Sequence, residues 1–122
     1  MITSYKDLEV YKRSFKLAMD IFWMTRNFPK EEIYSLTSQI TRSSRSIAAN
    51  VSEGWAKRTY ESVFKQHLVD SLGSCTETET WLDFSLECKY IDQETHTQFT
   101  EEIDQIGKML NKLHQNWKSR GK

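Results

Sequence analysis

His67, Asp70, Ser71 and Ser74 lie close together in the chain and supply a base, an acid and two hydroxyls. They could be drawn as a hydrolase constellation. A triad, however, needs an acid that holds the base and an oxyanion site beside the nucleophile. Residues strung along one straight helix provide no such pocket, so structural packing is the stronger reading. The three histidines, His67, His96 and His114, have no metal-ligand partner at H-E-x-x-H, C-x-x-C or E-x-x-H spacing. A glycine-rich phosphate loop is absent from the sequence. Glu53, Glu77 and Glu79 would bind a metal only if the fold brought them together. Salt bridges, with Arg42 or Arg45 as partners, are the favoured alternative. The chain is therefore read as a non-enzyme, with no catalytic residue, metal or cofactor expected.

A second group is basic. Trp55, Lys57 and Arg58 are clustered, with Lys65 two turns on. Lysine and arginine would hold a phosphate backbone while the indole stacks a base. The competing reading is a charged loop that stops a helix. Whole-molecule charge does not decide, because Lys plus Arg and Asp plus Glu both number 17. The distribution is uneven: residues 66–104 carry ten acids and one base, whereas residues 105–122 carry five bases and no acid. Solvated faces with a loose basic tail are one account of this, and an anion-binding tail is the other.

These residues must be positioned by helices. Four glycines and one proline in 122 residues leave little material for turns. The chain has no apolar run long enough for a membrane span, and MITSYKDLEVYKR has no apolar signal core. One cytoplasmic domain, residues 1–122, is expected. Cys75 and Cys88 would lie ~20 Å apart on one helix, too far to pair, and are expected as free thiols.

Periodicity places helices over about 5–27, 30–53, 59–89 and 92–118. The first carries Leu8, Tyr11, Phe15, Ala18 and Phe22 at alternating three- and four-residue steps, with Val10, Leu17, Ile21, Met24 and Phe28 widening the face. Met19 and Trp23 fall off that face, one turn apart, as either surface packing or a subunit contact. Pro29 opens the second helix, and Gly54 is read as its left-handed stop. Its stripe is Ile33, Leu36, Ile40, Ile47 and Val51. Ser43, Ser44, Ser46, Ala48 and Ala49 point in several directions, which favours burial on several sides. Arg42, Ser46, Asn50 and Glu53 form a polar ladder that fixes register, contacts another subunit or faces solvent. The third helix turns Tyr60, Phe64, His67, Ser71, Cys75, Leu82 and Ser85 inward, and the helical reading overrides the strand-like TETET of residues 76–80. Asp92 caps the fourth, whose Phe99, Ile103, Ile106, Leu110, Leu113 and Trp117 repeat like a heptad. Long helices with short connections imply an all-α, antiparallel up-down-up-down four-helix bundle.

FPKEEIYSLTSQI (residues 28–40), R-x-x-x-S-I-x-x-N-V-x-E-G (42–54) and GSCTETET (73–80) together resemble the four-helix-bundle family of proteins encoded in intervening sequences of 23S ribosomal RNA genes. DLEVYKRSFKL resembles that family's opening segment, so the likeness spans nearly the whole chain. The motif positions carried over are Gln39, Arg42, Ser46, Asn50, Glu53, Gly54, Gly73, Ser74 and Glu77. Ala48 stands where the family commonly has proline, Thr41 where a second arginine is common, and Cys75 and Thr78 where leucine is typical. The resemblance implies a homopentamer. The related retroelement accessory variability determinant implies nucleic-acid binding through a basic surface, which a neutral chain matches poorly. Two functions are expected in competition: a non-enzymatic homo-oligomeric bundle associating with RNA or a ribonucleoprotein, or a protein-interaction scaffold without nucleic acid.

Overall fold

A computed structural model describes residues 2–119. Four helices carry the structure: α1 (Glu9–Thr25), α2 (Leu36–Ala56), α3 (Glu61–Glu87) and α4 (Gln93–Asn116). No strand occurs among the described residues, and the TETET run is helical as expected. None of these helices is long and apolar enough to cross a membrane.

Side chains from all four helices meet in one core. Leu17 and Ile21 come from α1, Ile40, Ile47 and Val51 from α2, Phe64, Leu68 and Leu82 from α3, and Ile103, Ile106 and Leu110 from α4. The expected heptad stripe of α4 is thus the core stripe, with Phe99, Leu113 and Trp117 at its edges. Cross-helix pairs fix the direction of packing. Ser43 meets Thr78, Ser46 meets Ser74, and Asn50 meets His67. One number rises as the other falls, so α2 and α3 run antiparallel.

Several boundaries differ from the sequence expectation, each for a local reason. The first helix is preceded by a 3-10 turn, Tyr5–Asp7, closed by a reciprocal capping box between Ser4 and Asp7. After Pro29 the chain makes another 3-10 turn, Lys30–Glu32, and becomes α-helical only at Leu36. The Glu32 carboxylate accepts from Ser35 Oγ at 2.6 Å and from the Leu36 amide at 3.2 Å, serving as a displaced N-terminal cap. Tyr90 Oη donates to the same carboxylate at 2.8 Å, tying this turn to the α3–α4 connection. Ser35 hydrogen bonding first, then Tyr90, holds Glu32 below the usual carboxylate range. The same contact pushes the Tyr90 phenol up to about 12.

Gly54 does not stop α2 in a left-handed conformation. The helix continues through it to Ala56, and Lys57 follows as the cap. The glycine is required by packing instead. A Cβ there would stand 2.8 Å from His67 Cβ and 3.3 Å from Phe64 Cδ1. The left-handed residue is Lys89 (φ 64°), just past α3. There Tyr90 N donates to Ser85 O and Lys89 N to Leu86 O, closing the helix end. Three expected inward residues are surface residues: Phe15, Ile33 and Tyr60 are exposed, and Ile33 lies in the turn before α2 rather than on its stripe. Asp92 caps α4 as expected, accepting from the Thr95 amide at 2.9 Å.

Candidate functional site

The α2–α3 seam absorbs most of the polar residues that suggested chemistry. Ser71 Oγ donates to the Ile47 carbonyl at 2.9 Å, and Thr78 Oγ1 donates to Ser43 Oγ at 2.9 Å. Ser74 Oγ donates to Ser46 Oγ at 2.9 Å. Asn50 Nδ2 donates to the Ser46 carbonyl and hydroxyl, while Asn50 Oδ1 lies 3.2 Å from His67 Nδ1. Ser46 and Asn50 of the polar ladder are therefore satisfied within one chain. Buried hydroxyls can be accommodated here because each finds a partner. Asp70 accepts from Gln66, so His67, Asp70 and Ser71 are each engaged with different groups.

The remaining ladder and motif residues lie elsewhere. Arg42 is exposed, and Glu53 pairs with Lys57 at 3.1 Å. Gly73 is exposed, and a Cβ added there would meet nothing within 4 Å. Glu77 accepts from Trp81 Nε1, and Gln39 lines a groove between the start of α2 and the end of α3. The three carboxylates Glu53, Glu77 and Glu79 do not converge, and no cluster able to hold a metal occurs among the described residues. Glu79 faces α4, where desolvation, then Asp104, then Asp83 push its carboxyl upward. Cys75 is buried and its thiol is pushed up to about 12, mainly by desolvation, so it is a poor nucleophile. Cys88 is exposed.

The basic group lies at the end of the bundle where the α2–α3 turn meets the C-terminal end of α4. Trp55 is not the base-stacking platform the sequence suggested. It is only 8% exposed, with Phe64 and Trp117 edge-on to it at 6.3 and 5.5 Å. The Arg58 guanidinium covers it at 4.3 Å and donates to the Trp55 carbonyl. Sequence alone missed this because α2 extends two residues beyond Gly54 and carries the indole into the core. Lys57 and Lys65 are each paired with a carboxylate one turn away, Glu53 and Glu61. The segment after α4 folds onto this end. Ser119 Oγ donates to the Arg58 carbonyl at 2.6 Å, and Ser119 N donates to Glu61 Oε1 at 3.0 Å. That backbone contact, then Lys65, keeps Glu61 below its ordinary range, with Lys118 adding to the effect. Lys57 thus pairs with Glu53, Lys65 and Lys118 lie by Glu61, and Arg58 covers Trp55 at the same end of the bundle. Of the other bases in residues 105–122, Lys108 and Lys112 are exposed on α4, and Arg120 and Lys122 lie outside the described residues.

A second surface feature was only half legible. Trp23 is 58% exposed, and Met19 is half-buried in a groove between α1 and α2. Phe15, Ala48, Ala49, Ser52 and Arg45 share that groove. It continues past Arg45 to Phe22, Arg26, Lys30 and Ile33. Arg26 lies over the Phe22 and Trp23 rings, and Arg45 over Phe22. The small residues of α2 therefore serve two sides: Ser43, Ser46 and Gly54 face α3, whereas Ala48 and Ala49 border α1.

Comparisons with known proteins agree with this architecture. The model of the 23S rRNA-intervening sequence protein family matches residues 6–112. A solved structure of a protein of unknown function from the S23 ribosomal protein family of Bacteroides thetaiotaomicron VPI-5482 is similar, with a TM-score of 0.80 and 26% identity. The match covers 88% of this chain and 96% of that one. No curated protein matches the chain.

Proposed function

The chain belongs to the 23S rRNA-intervening sequence protein family, and from that premise we propose that it is a non-enzymatic, self-associating helical bundle whose basic end contacts RNA in the cytoplasm. The convergence of Lys57, Arg58, Lys65 and Lys118 at one end of the bundle carries the RNA reading. A single copy offers little net charge there, because Glu53 and Glu61 offset part of it. Self-association would repeat the site, and linked weak contacts gain effective concentration without new contacts. A pentamer is the assembly the family resemblance implies. Phosphate contacts release counterions, so binding should weaken steeply as salt rises.

The test is fluorescence anisotropy of a labelled single-stranded RNA with the full chain, titrated at low and high salt. The triple variant Lys57→Glu, Lys65→Glu, Lys118→Glu should lose binding at least tenfold while its helical signal is unchanged. Equal binding by the triple variant, or no salt-sensitive binding by the wild-type oligomer, removes RNA from the reading. The protein-scaffold alternative then gains from the exposed apolar groups on α1.

A further inference from the structure

We infer that copies of this chain join head to tail, the cationic α1–α2 groove of one copy receiving the acidic, aromatic α2–α3 edge of the next. This rests on the self-association proposed above and assigns its two surfaces.

The first surface is the groove between α1 and α2. Its lining is apolar along most of its length, from Phe15 and Met19 to Phe22 and Ile33. Arg26, Lys30 and Arg45 are its charged lining residues, and no carboxylate lines it. Neither arginine has a carboxylate partner within ion-pair distance among the described residues; both lie over aromatic rings instead. Ala48 and Ala49 put no bulky side chain into the groove.

The second surface lies on the other side of α2, between its N-terminal turn and the end of α3. Tyr34 is 95% exposed and Phe84 is 53% exposed. Trp81 stands beside Phe84, with ring centroids 5.7 Å apart. Glu32 lines this edge and Glu77 holds the Trp81 indole, whereas no lysine or arginine lines it. Exposed aromatics beside Glu32 and Glu77 are complementary in polarity and charge to an apolar groove lined by unpaired arginines. Exposed contiguous apolar groups of this kind mark interaction sites. Opposite charges select a second copy, because each surface would repel itself and attract the other. Two different surfaces meeting make a heterologous contact, the type that builds rings when the rotation closes.

The test uses two full-length variants at exposed positions and light scattering coupled to size exclusion. Arg45→Glu spoils the groove and Phe84→Asp spoils the edge. Each alone should reduce the wild-type oligomer to a monomer. Mixed one to one, they should form a heterodimer and nothing larger, since only one competent groove and one competent edge remain. A wild-type monomer overturns self-association and this inference together. A wild-type oligomer that persists in both variants overturns only the surface assignment. Two monomers that do not combine overturn the head-to-tail pairing. Should either variant lose its helical signal, bismaleimide cross-linking of Met19→Cys reads the same contact. A link from position 19 of one copy to the exposed Cys88 of another supports the pairing, and an unlinked oligomer overturns it.

Discussion

The α2–α3 seam and the α1–α4 pairing are built by opposite means. In the seam, glycine, serine and threonine let two helices approach until a single added methyl would collide. Hydroxyls, and an asparagine facing His67, then bridge the helices. Between α1 and α4 the helices stand apart over an open groove lined by Leu17 and Phe99. A two-bond Arg13–Glu102 pair spans it, at 2.9 and 2.7 Å. Close packing excludes water and makes each atom count. A half-exposed ion pair is screened and contributes little. The lesson is that fold specificity is concentrated in the seam, while the α1 side is left tolerant and available for contacts.

The largest expected effect lies in the seam. Phe64 is fully buried beneath Gly54 and packs on Trp55 and Trp117. Phe64→Ala should cost ~3–5 kcal/mol, read from the urea midpoint. A cost under ~1 kcal/mol would mean the seam is not the tight region. Next come two glycines that separate packing from propensity. Gly54→Ala should destabilise by ~1–3 kcal/mol because His67 Cβ cannot retreat. Gly73→Ala, in the same kind of helix but with open space around it, should stabilise by ~0.5–1 kcal/mol. Equal signs for the two would erase the contrast.

The α1–α4 side should respond less. Arg13→Gln is expected to shift stability by at most ~1 kcal/mol, with the difference shrinking in high salt. A larger, salt-independent loss would make that pair structural. The smallest effect concerns the α3–α4 face and is a pH dependence. Burial first, then Asp104, raises the Glu79 pKa in the folded state above its ordinary 4.5. The folded chain then binds more protons than the unfolded one as pH rises through that window, so stability from this group falls with increasing pH. Glu79→Gln should flatten that part of the thermal-midpoint profile and raise the midpoint at pH ~7. An unchanged profile would show that Glu79 is fully hydrated.

Much of this was readable from residue order. The heptad-like spacing from Phe99 to Trp117 identified α4, and the motif R-x-x-x-S-I-x-x-N-V-x-E-G together with GSCTETET identified the family that the comparisons support. The candidate site was less legible. Trp55, Lys57 and Arg58 looked like an exposed loop because Gly54 looked like a helix stop. A glycine that permits a turn and a glycine that permits a close crossing are identical in sequence. Only the partner helix distinguishes them.

Local spacing and side-chain type thus determined that the chain is helical, which stripes are apolar and which residues can cap. Those properties depend on neighbours one turn away. Tertiary structure decided that Gly54 lies against His67, that Trp55 is covered by Arg58, and that Ser119 reaches back to the α2–α3 turn. It also decided which small residues face α3 and which are left on the α1 groove. Such pairings join residues far apart in the chain, and short-range periodicity carries no information about which distant surface will fill a given face.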